Sequence, residues 1–480
     1  MKWSDNQERI FDFVQNGDGN GIVKAVAGSG KTTTICEAAR RIEFEMPDNI
    51  YLAFNKSIAE ELKSRNVNGK TFHSLCLRPV LNHIGCREID KNKTFSIINS
   101  LMDYGDRRIY GYFVKRLVSL AKQKAVGLDC KINPLQFYEI INHHDLELED
   151  PDATIEEAVS IATEVLRISN KGESADFDDL LYYPDLFDIY LMPYELVFLD
   201  EAQDTNLIQR MILKRLMKDE GSRLMAVGDP HQAIYGFRGA DSESMNIIQK
   251  EFKCESLDLT TSYRCPKKVV EFSQQWVNHI KPHELAEDGE VNNVKYRWKL
   301  DDFSNGDMVV CRTKKPLIAL ALKMLRSKSI TPQVMGSEIG QSLKSLIRKI
   351  KGSNLEEFKT KLHAWFIRET DKAEERGDRT QMDMLEDKYL CIAELCNHEG
   401  VKSREDIFDL IDDLFASHRE KVTLSTVHKA KGLEADNVYW LNSSECPSQR
   451  AVKPWEKQQE LNICYVAATR AKKKLILIED

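Results

Sequence analysis

The chain has 480 residues, 42% hydrophobic and 30% charged, with a formal net charge of −8. That length predicts about three domains of ~150 residues, and the composition excludes collagen, a disulfide scaffold and a disordered chain. The acidic balance excludes a generally basic nucleic-acid coat, but it leaves room for a local basic track, because net charge governs solubility and steering rather than sites. No apolar run approaches the roughly 20 residues of a membrane-spanning helix. Met1-Lys2-Trp3-Ser4-Asp5 lacks the apolar segment of a secretory leader. The 11 cysteines are scattered, with no C-x-x-C pair. They predict reduced thiols in a cytoplasmic protein and no zinc or iron–sulfur centre.

In chain order, Gly21-Ile22-Val23-Lys24-Ala25-Val26 reads as a buried strand ending in a Gly-rich turn, and Thr32 to Ile42 as a helix. Ile50 to Phe54 is a second strand and Ser57 to Ser64 a second helix. Such alternation predicts a parallel sheet covered by helices. From about Cys76 to Gly172 the pattern turns helical. Within it, Asp145 to Glu157 carries seven carboxylates in thirteen residues and reads as a solvated loop or helix face. Strands return at Leu196–Leu199 and Leu224–Val227. A second α/β region follows Tyr263-Arg264, with strands at Met308–Cys311, Val422–Ser425 and Leu475–Ile478. Between them, roughly Gly352 to Ser417 is helical and highly charged. The expected fold is α/β: two domains, each interrupted by a helical insertion.

Ala25-Val26-Ala27-Gly28-Ser29-Gly30-Lys31-Thr32 lies between a strand and a helix, the setting a phosphate-binding loop requires. Glycines let backbone N–H groups curl around phosphate oxygens, and the helix N-terminus adds its positive end. Lys31 brings a point charge for the β- and γ-phosphates, and the Thr32 hydroxyl can ligate Mg²⁺. Ala25 stands where the usual pattern has glycine. Alone, the loop implies only nucleotide phosphate binding.

Glu195-Leu196-Val197-Phe198-Leu199-Asp200-Glu201-Ala202-Gln203-Asp204 puts two carboxylates at the C-terminal end of an apolar strand, where open α/β sheets place ligands. Asp200 is suited to hold Mg²⁺ and Glu201 to act as general base on water. Further on comes Val227-Gly228-Asp229-Pro230-His231-Gln232, then Tyr235, Phe237 and Arg238. Gln232 could hydrogen-bond a γ-phosphate. The aromatics and the guanidinium suit stacking on exposed bases. His231 reads as structural.

At this point the chain resembles superfamily 1 DNA helicases of the UvrD/PcrA/Rep type, on strings that occur in order across essentially its whole length. Trp3-Ser4-Asp5-Asn6-Gln7 resembles the adenine-reading motif. Ala53-Phe54-Asn55-Lys56 and Thr71-Phe72-His73-Ser74 resemble two single-strand-contacting motifs. Asp176-Phe177-Asp178-Asp179-Leu180-Leu181 resembles the stretch leading into the Asp-Glu strand. Ser262-Tyr263-Arg264, Leu424 to Glu434 and Tyr465 to Ala471 resemble the later motifs. Ala-Phe-Asn-Lys-Ser-Ile-Ala and Gly-Asp-Pro-His-Gln are also similar to the F-box DNA helicase branch, without an F-box segment.

The resemblance implies two RecA-like P-loop motor domains with ATP in the cleft between them. It divides the chain into a first motor of residues 1–75 and 174–262, a helical insertion at 76–173, a second motor of 263–351 and 418–480, and a short insertion at 352–417. It implies that Gly28, Ser29, Gly30, Lys31, Thr32 and Thr33 hold phosphate. Gln7 and Tyr263 would flank adenine, Glu434 would contact ribose, and Arg264 and Arg470 would act as arginine fingers. Phe54, Asn55, His73, Tyr235, Phe237, Arg238, Thr426 and His428 would line a single-strand track. The implied activity is ATP- and Mg²⁺-dependent movement on single-stranded DNA with 3′-to-5′ unwinding. The implied partners are single-strand/duplex junctions and single-strand-binding, replication or recombination proteins. The implied protein is monomeric and has no membrane partner. Protein displacement with little unwinding, or action on RNA, are the alternatives. The second insertion is shorter than the regulatory one of the family, and the chain stops ten residues after Arg470, leaving no room for a nuclease domain. From Arg312 to Lys351, ten basic residues face one acid, Glu338, a candidate phosphate-binding face or a solvated helix face.

Overall fold

The structure, a computed structural model, describes the chain apart from residues 1–2, 43–47, 54–55, 65–66, 129–130, 145, 147, 149–152, 218–220, 235–242, 328–329, 336, 376–378, 416–420, 450 and 480. The chain divides into two units, Met1–Val26 with Gly30–Leu259, and Ala27–Ser29 with Thr260–Asp480. Length alone suggests three. No helix among the described residues is long and apolar enough to cross a membrane.

The first unit is built on six parallel strands: β1 (Gly21–Ala25), β2 (Asn49–Leu52), β3 (Gly69–Lys70), β4 (Leu196–Leu199), β5 (Arg223–Gly228) and β6 (Glu255–Leu259). Their order is β3-β2-β4-β5-β1-β6. β4 and β5 are buried at every residue, which explains their continuous apolar runs. One sheet face packs against α1 (Asp5–Asn16), α2 (Lys31–Arg41) and α3 (Lys56–Ser64) through Phe11, Ile35, Leu62 and Phe198. Ser4 starts α1 in a reciprocal capping box with Gln7. Arg223 closes its other end: the guanidinium donates to the carbonyls of Phe13 (2.7 Å), Val14 (2.8 Å) and Gly19 (2.9 Å).

The opposite face carries α4 (Phe72–His83), α5 (Lys93–Leu101), α6 (Tyr104–Gln123), α7 (Pro134–His144), α8 (Ile155–Ser169), α9 (Phe177–Leu186), α10 (Leu207–Leu216) and α11 (Ser244–Glu251). Of the acidic stretch, Asp145, Glu147, Glu149, Asp150 and Asp152 lie outside the described residues, and Glu156 and Glu157 are exposed in the first turn of α8, a solvated helix face. Leu146 and Leu148 are buried, and Glu157 accepts the Tyr110 hydroxyl at 2.7 Å.

Among these helices lies a buried ionic cluster. Asp179, fully buried, meets Lys122 at 2.6 Å and Lys93 at 2.7 Å. Asp176 meets Lys122 at 3.4 Å and accepts the Thr94 hydroxyl at 2.6 Å. Asp176 and Asp179 also form the capping box of α9. Burial pulls Lys93 below the usual lysine range, whereas the two carboxylates beside Lys122 overcome its burial and hold it above.

The second unit begins with a short pair, β7 (Thr261–Ser262) and β8 (Lys281–Pro282), and α12 (Lys267–Ser273). Its main sheet contains β9 (Glu290–Lys295), β10 (Met308–Cys311), β11 (Pro332–Val334), β12 (Val422–Thr426), β13 (Ala435–Leu441) and β14 (Ala471–Ile478). All pairings are parallel, in the order β11-β12-β10-β13-β14-β9. Both parallel sheets expected from the strand–helix alternation are therefore present. α13 (Lys315–Ser327), α14 (Ser337–Lys349), α15 (Leu355–Glu375), α16 (Arg379–Cys396) and α17 (Arg404–Phe415) bury Leu322, Ile347, Phe358, Ile392 and Ile411 in one core. α18 (Val427–Ala430) follows β12, and α19 (Pro454–Ala468) leads into β14.

Candidate functional site

β1 ends in the Gly-rich loop, which Gly30 closes in the left-handed conformation, φ 76°, as the residue before α2. A side chain there is strained, which is why the position takes glycine. Lys31 and Thr32 then sit in the first turn of α2, whose opening N–H groups have no acceptor within the helix. The Ser29 hydroxyl is buried and has no hydrogen-bond partner among the described residues. Thr34, one turn on, accepts the Gln7 side-chain amide at 3.0 Å and donates to the Gly30 carbonyl at 2.9 Å. Gln7 is thereby fixed between its own cap and the start of α2. Thr33 is half-buried beside Lys31 and Thr32.

β4 pairs with β2 and β5 and delivers the two carboxylates to the same sheet end. Lys31 Nζ lies 3.4 Å from Glu201 Oε1, and the Thr32 hydroxyl donates to Asp200 Oδ2 at 3.5 Å. Asp200 is 2% exposed and accepts the Glu201 N–H at 2.9 Å. Burial, with the Glu201 charge beside it, pushes the Asp200 carboxyl up to about 6, against the pull of Lys31. Glu201 has φ 52°, left-handed backbone in a residue with a Cβ. Such a conformation costs about 1–3 kcal/mol and persists only when its surroundings enforce it.

Two side chains near the pair escaped the sequence reading. Gln203 donates its amide to Glu201 Oε2 and accepts the Asp229 N–H at 3.0 Å, so it ties the end of β4 to the end of β5. Asp229, fully buried, accepts the His231 N–H at 3.0 Å and the Gln232 amide at 2.7 Å. Burial pushes its carboxyl above the usual range, with Lys31 opposing. The signal was present: polar residues directly after two buried apolar strands need local partners. Gly228 is required here, since a Cβ would lie 2.4 Å from Gln203 Oε1. Gln232 therefore hangs from Asp229, and His231 enters the network through its backbone.

His73 is half-buried on α4, its ring 6.1 Å from that of Phe177, and burial holds its imidazole below the usual value. Phe54, Asn55, Tyr235, Phe237 and Arg238 lie outside the described residues.

In the second unit, Arg264 Nε lies 2.5 Å from Glu434 Oε2, so the expected finger and the expected ribose contact are paired with each other. Arg470 is 1% exposed and donates to the carbonyls of Val466 (3.0 Å) and Leu433 (3.2 Å). Tyr263 is 42% exposed, its ring 4.9 Å from that of His283. Thr426 caps α18, accepting the Lys429 N–H at 3.4 Å, and His428 is half-buried on that turn.

The basic stretch from Arg312 to Lys351 is in part internal. Arg312 grips Glu460 through Nε (3.1 Å) and Nη2 (2.7 Å), and Lys344, which is buried, meets Asp412 at 2.5 Å. Lys323 faces the Trp298 ring and Arg348 the Phe408 ring. These four cations thus have partners within their own unit, Lys344 buried and Arg348 exposed.

A model of the UvrD/REP helicase N-terminal domain matches residues 4–253, and one of the UvrD-like helicase C-terminal domain matches residues 291–479. The ATP-dependent DNA helicase PcrA of Bacillus subtilis (strain 168) is 28% identical over 337 residues, 62% of this chain and 43% of that protein. The protein of the same name from Staphylococcus epidermidis is 26% identical over 300 residues, 56% of this chain and 39% of that one. The chain thus spans about two-fifths of the length of these relatives. The N-terminal model alone matches more than half of the chain, and the chain belongs to the UvrD/REP helicase family.

Proposed function

We propose that the chain is an ATP-dependent motor on single-stranded DNA that unwinds duplex DNA, moving 3′ to 5′. The observation that carries the ATP-hydrolysing part is the pairing of Lys31 with Glu201 and of Thr32 with Asp200 at the C-terminal ends of parallel strands. The DNA part rests on the family and on its similarity to proteins named PcrA.

The N–H groups opening α2 and the Lys31 ammonium bind the β- and γ-phosphates. Glu201 takes the proton of the attacking water, and Gln203 holds its carboxylate in place through Oε2. Gln232, oriented by Asp229, reads the γ-phosphate. Arg264 exchanges its ion pair with Glu434 for phosphate oxygens, and Arg470 adds a second guanidinium for the charge of the transferring group. A Thr hydroxyl and a single carboxylate 3.5 Å apart are hard oxygen donors suited to Mg²⁺, which usually keeps several waters and is shared with substrate phosphates. Bound Mg²⁺ would neutralise phosphate charge, and Thr32 and Asp200 are the residues that would hold it.

Steady-state ATP hydrolysis with and without single-stranded DNA tests the reading. Strong stimulation, abolished by Lys31→Ala, is expected. Hydrolysis indifferent to DNA overturns it, and stronger stimulation by a matched RNA assigns the motor to RNA. Duplexes with a 3′ or a 5′ tail then fix the polarity.

A further inference from the structure

We propose that the outer face of α6 is a second docking surface for single-stranded nucleic acid; this rests on the reading above and adds a contact to it. α6 buries one side: Phe113, Val114, Leu117, Val118 and Ala121 join the core. Its other side carries Tyr104, Arg108, Tyr112 and Lys115, all exposed, on successive turns of the helix. Tyr104 and Tyr112 are 78% and 72% exposed. The same helix shows what a structural tyrosine looks like: Tyr110 is 3% exposed and donates its hydroxyl to Glu157. Of the outer pair, Tyr104 meets the Arg107 guanidinium 6.0 Å from its ring centre, an exposed contact, and neither ring is buried.

The cations are equally unspent. Among the described residues neither Arg108 nor Lys115 has an ion-pair or hydrogen-bond partner, whereas Arg107 is held by the Asp103 carbonyl and Asn99 Oδ1. Of the five basic residues of the helix, Lys122 belongs to the buried ionic cluster and Arg107 is held, so the free positive charge of the outer face is that of Arg108 and Lys115, with Asp106 the one acid of the helix.

An alternation of ring and cation suits single strands, whose bases are free to stack on aromatics while their phosphates meet the cations. At 1.5 Å rise per residue the two tyrosines lie about 12 Å apart along the axis. That exceeds the ~3.4 Å step of stacked bases, so the surface takes two splayed bases, without sequence preference, and lays the phosphate between them on Arg108 and one beyond Tyr112 on Lys115. A duplex keeps its bases stacked inside and leaves the rings unused.

Anisotropy of a fluorescein-labelled oligothymidylate, titrated with the full chain at several salt concentrations, reads this contact. Tyr104→Ala with Tyr112→Ala should weaken binding at least about tenfold, and the corresponding Phe pair should restore it, since stacking needs only the ring. Arg108→Ala with Lys115→Ala should flatten the salt dependence by about 1.4 in log–log slope, two phosphates' worth on a single strand. ATP hydrolysis without DNA should be unchanged in all three, which also shows that the variants are folded. Unchanged affinity and slope in both Ala pairs, with wild-type binding intact, overturn this surface and leave the motor reading standing. A wild-type chain that does not bind, and whose ATP hydrolysis ignores DNA, overturns both.

Discussion

Asp179→Ala tests the ionic cluster beneath α9. The Asp179 carboxylate lies 2.6 Å from Lys122 and 2.7 Å from Lys93, and both ammonium groups are at most 5% exposed. Its loss leaves two buried positive charges facing Asp176, the more distant Asp178 and neutral oxygens, the Ser169 carbonyl at 3.0 Å among them. Removing one partner of a buried pair costs about 3–5 kcal/mol, a large part of the ~5–15 kcal/mol that holds a typical domain folded. At roughly 2–4 °C per kcal/mol for a unit of this size, Tm should fall by about 6–20 °C. Far-UV circular dichroism is the right probe, because the first unit contains one tryptophan, Trp3, and indole fluorescence reports mainly on the second. Lys93→Met in the same chain removes the charge left in excess. The double variant should be more stable than the sum of the two single losses, by about 1–3 kcal/mol. A loss below ~1 kcal/mol for Asp179→Ala, or strictly additive losses, would show that water reaches the cluster and that the argument from burial is wrong.

Three other substitutions probe the site and its scaffold. Glu201→Gln should keep nucleotide binding, measured with a fluorescent ATP analogue, and lower the turnover number about 10²–10⁴-fold; retained turnover would require a different base. Gly228→Ala drives a Cβ to 2.4 Å from Gln203 Oε1. It should cost about 1–3 kcal/mol of stability and reduce the turnover number more than it raises KM, because Gln203 can no longer hold Glu201. Arg223→Met strips the donor from three carbonyls at the end of α1 and should destabilise the first unit by about 1–3 kcal/mol, seen as faster hydrogen exchange in α1 while the second unit is unchanged. The burial of His73 gives a signed pH effect. Its folded pKa is depressed, so its contribution is present above the unfolded value near 6.5 and is lost as pH falls through the folded one. His73→Asn should therefore reduce the drop in Tm between pH 7 and pH 5.

What could be read from the sequence was local. The loop from Gly28 to Thr32 and the Asp200–Glu201 pair declare themselves because a strand, a turn and a helix start lie within a few residues of each other. β4, β5 and β10 were legible because strands buried on both faces carry continuous apolar runs, Leu224 to Val227 in β5. β6 and β9, the edge strands Glu-Ser-Leu-Asp-Leu and Glu-Val-Asn-Asn-Val-Lys, were not, because polar residues on their exposed faces break the apolar run. Pairings across long separations were equally hidden. Lys122 finds Asp176, Lys344 finds Asp412 and Arg312 finds Glu460 only through the fold. The basic stretch read as a possible phosphate face for this reason: four of its cations have internal partners that spacing along the chain cannot show.

The left-handed backbone at Glu201 makes that position a meeting point of opposed selective pressures. Glycine would adopt φ 52° without penalty, and asparagine nearly so, whereas glutamate holds it at a strain of about 1–3 kcal/mol. A library randomised at position 201 and sorted for heat resistance alone should drift toward glycine and asparagine, and every step of that drift discards the carboxylate. Sorting for ATP turnover should drive it back. Attempts to harden this chain by consensus or stability-guided design should therefore leave residue 201 fixed and seek their gains elsewhere.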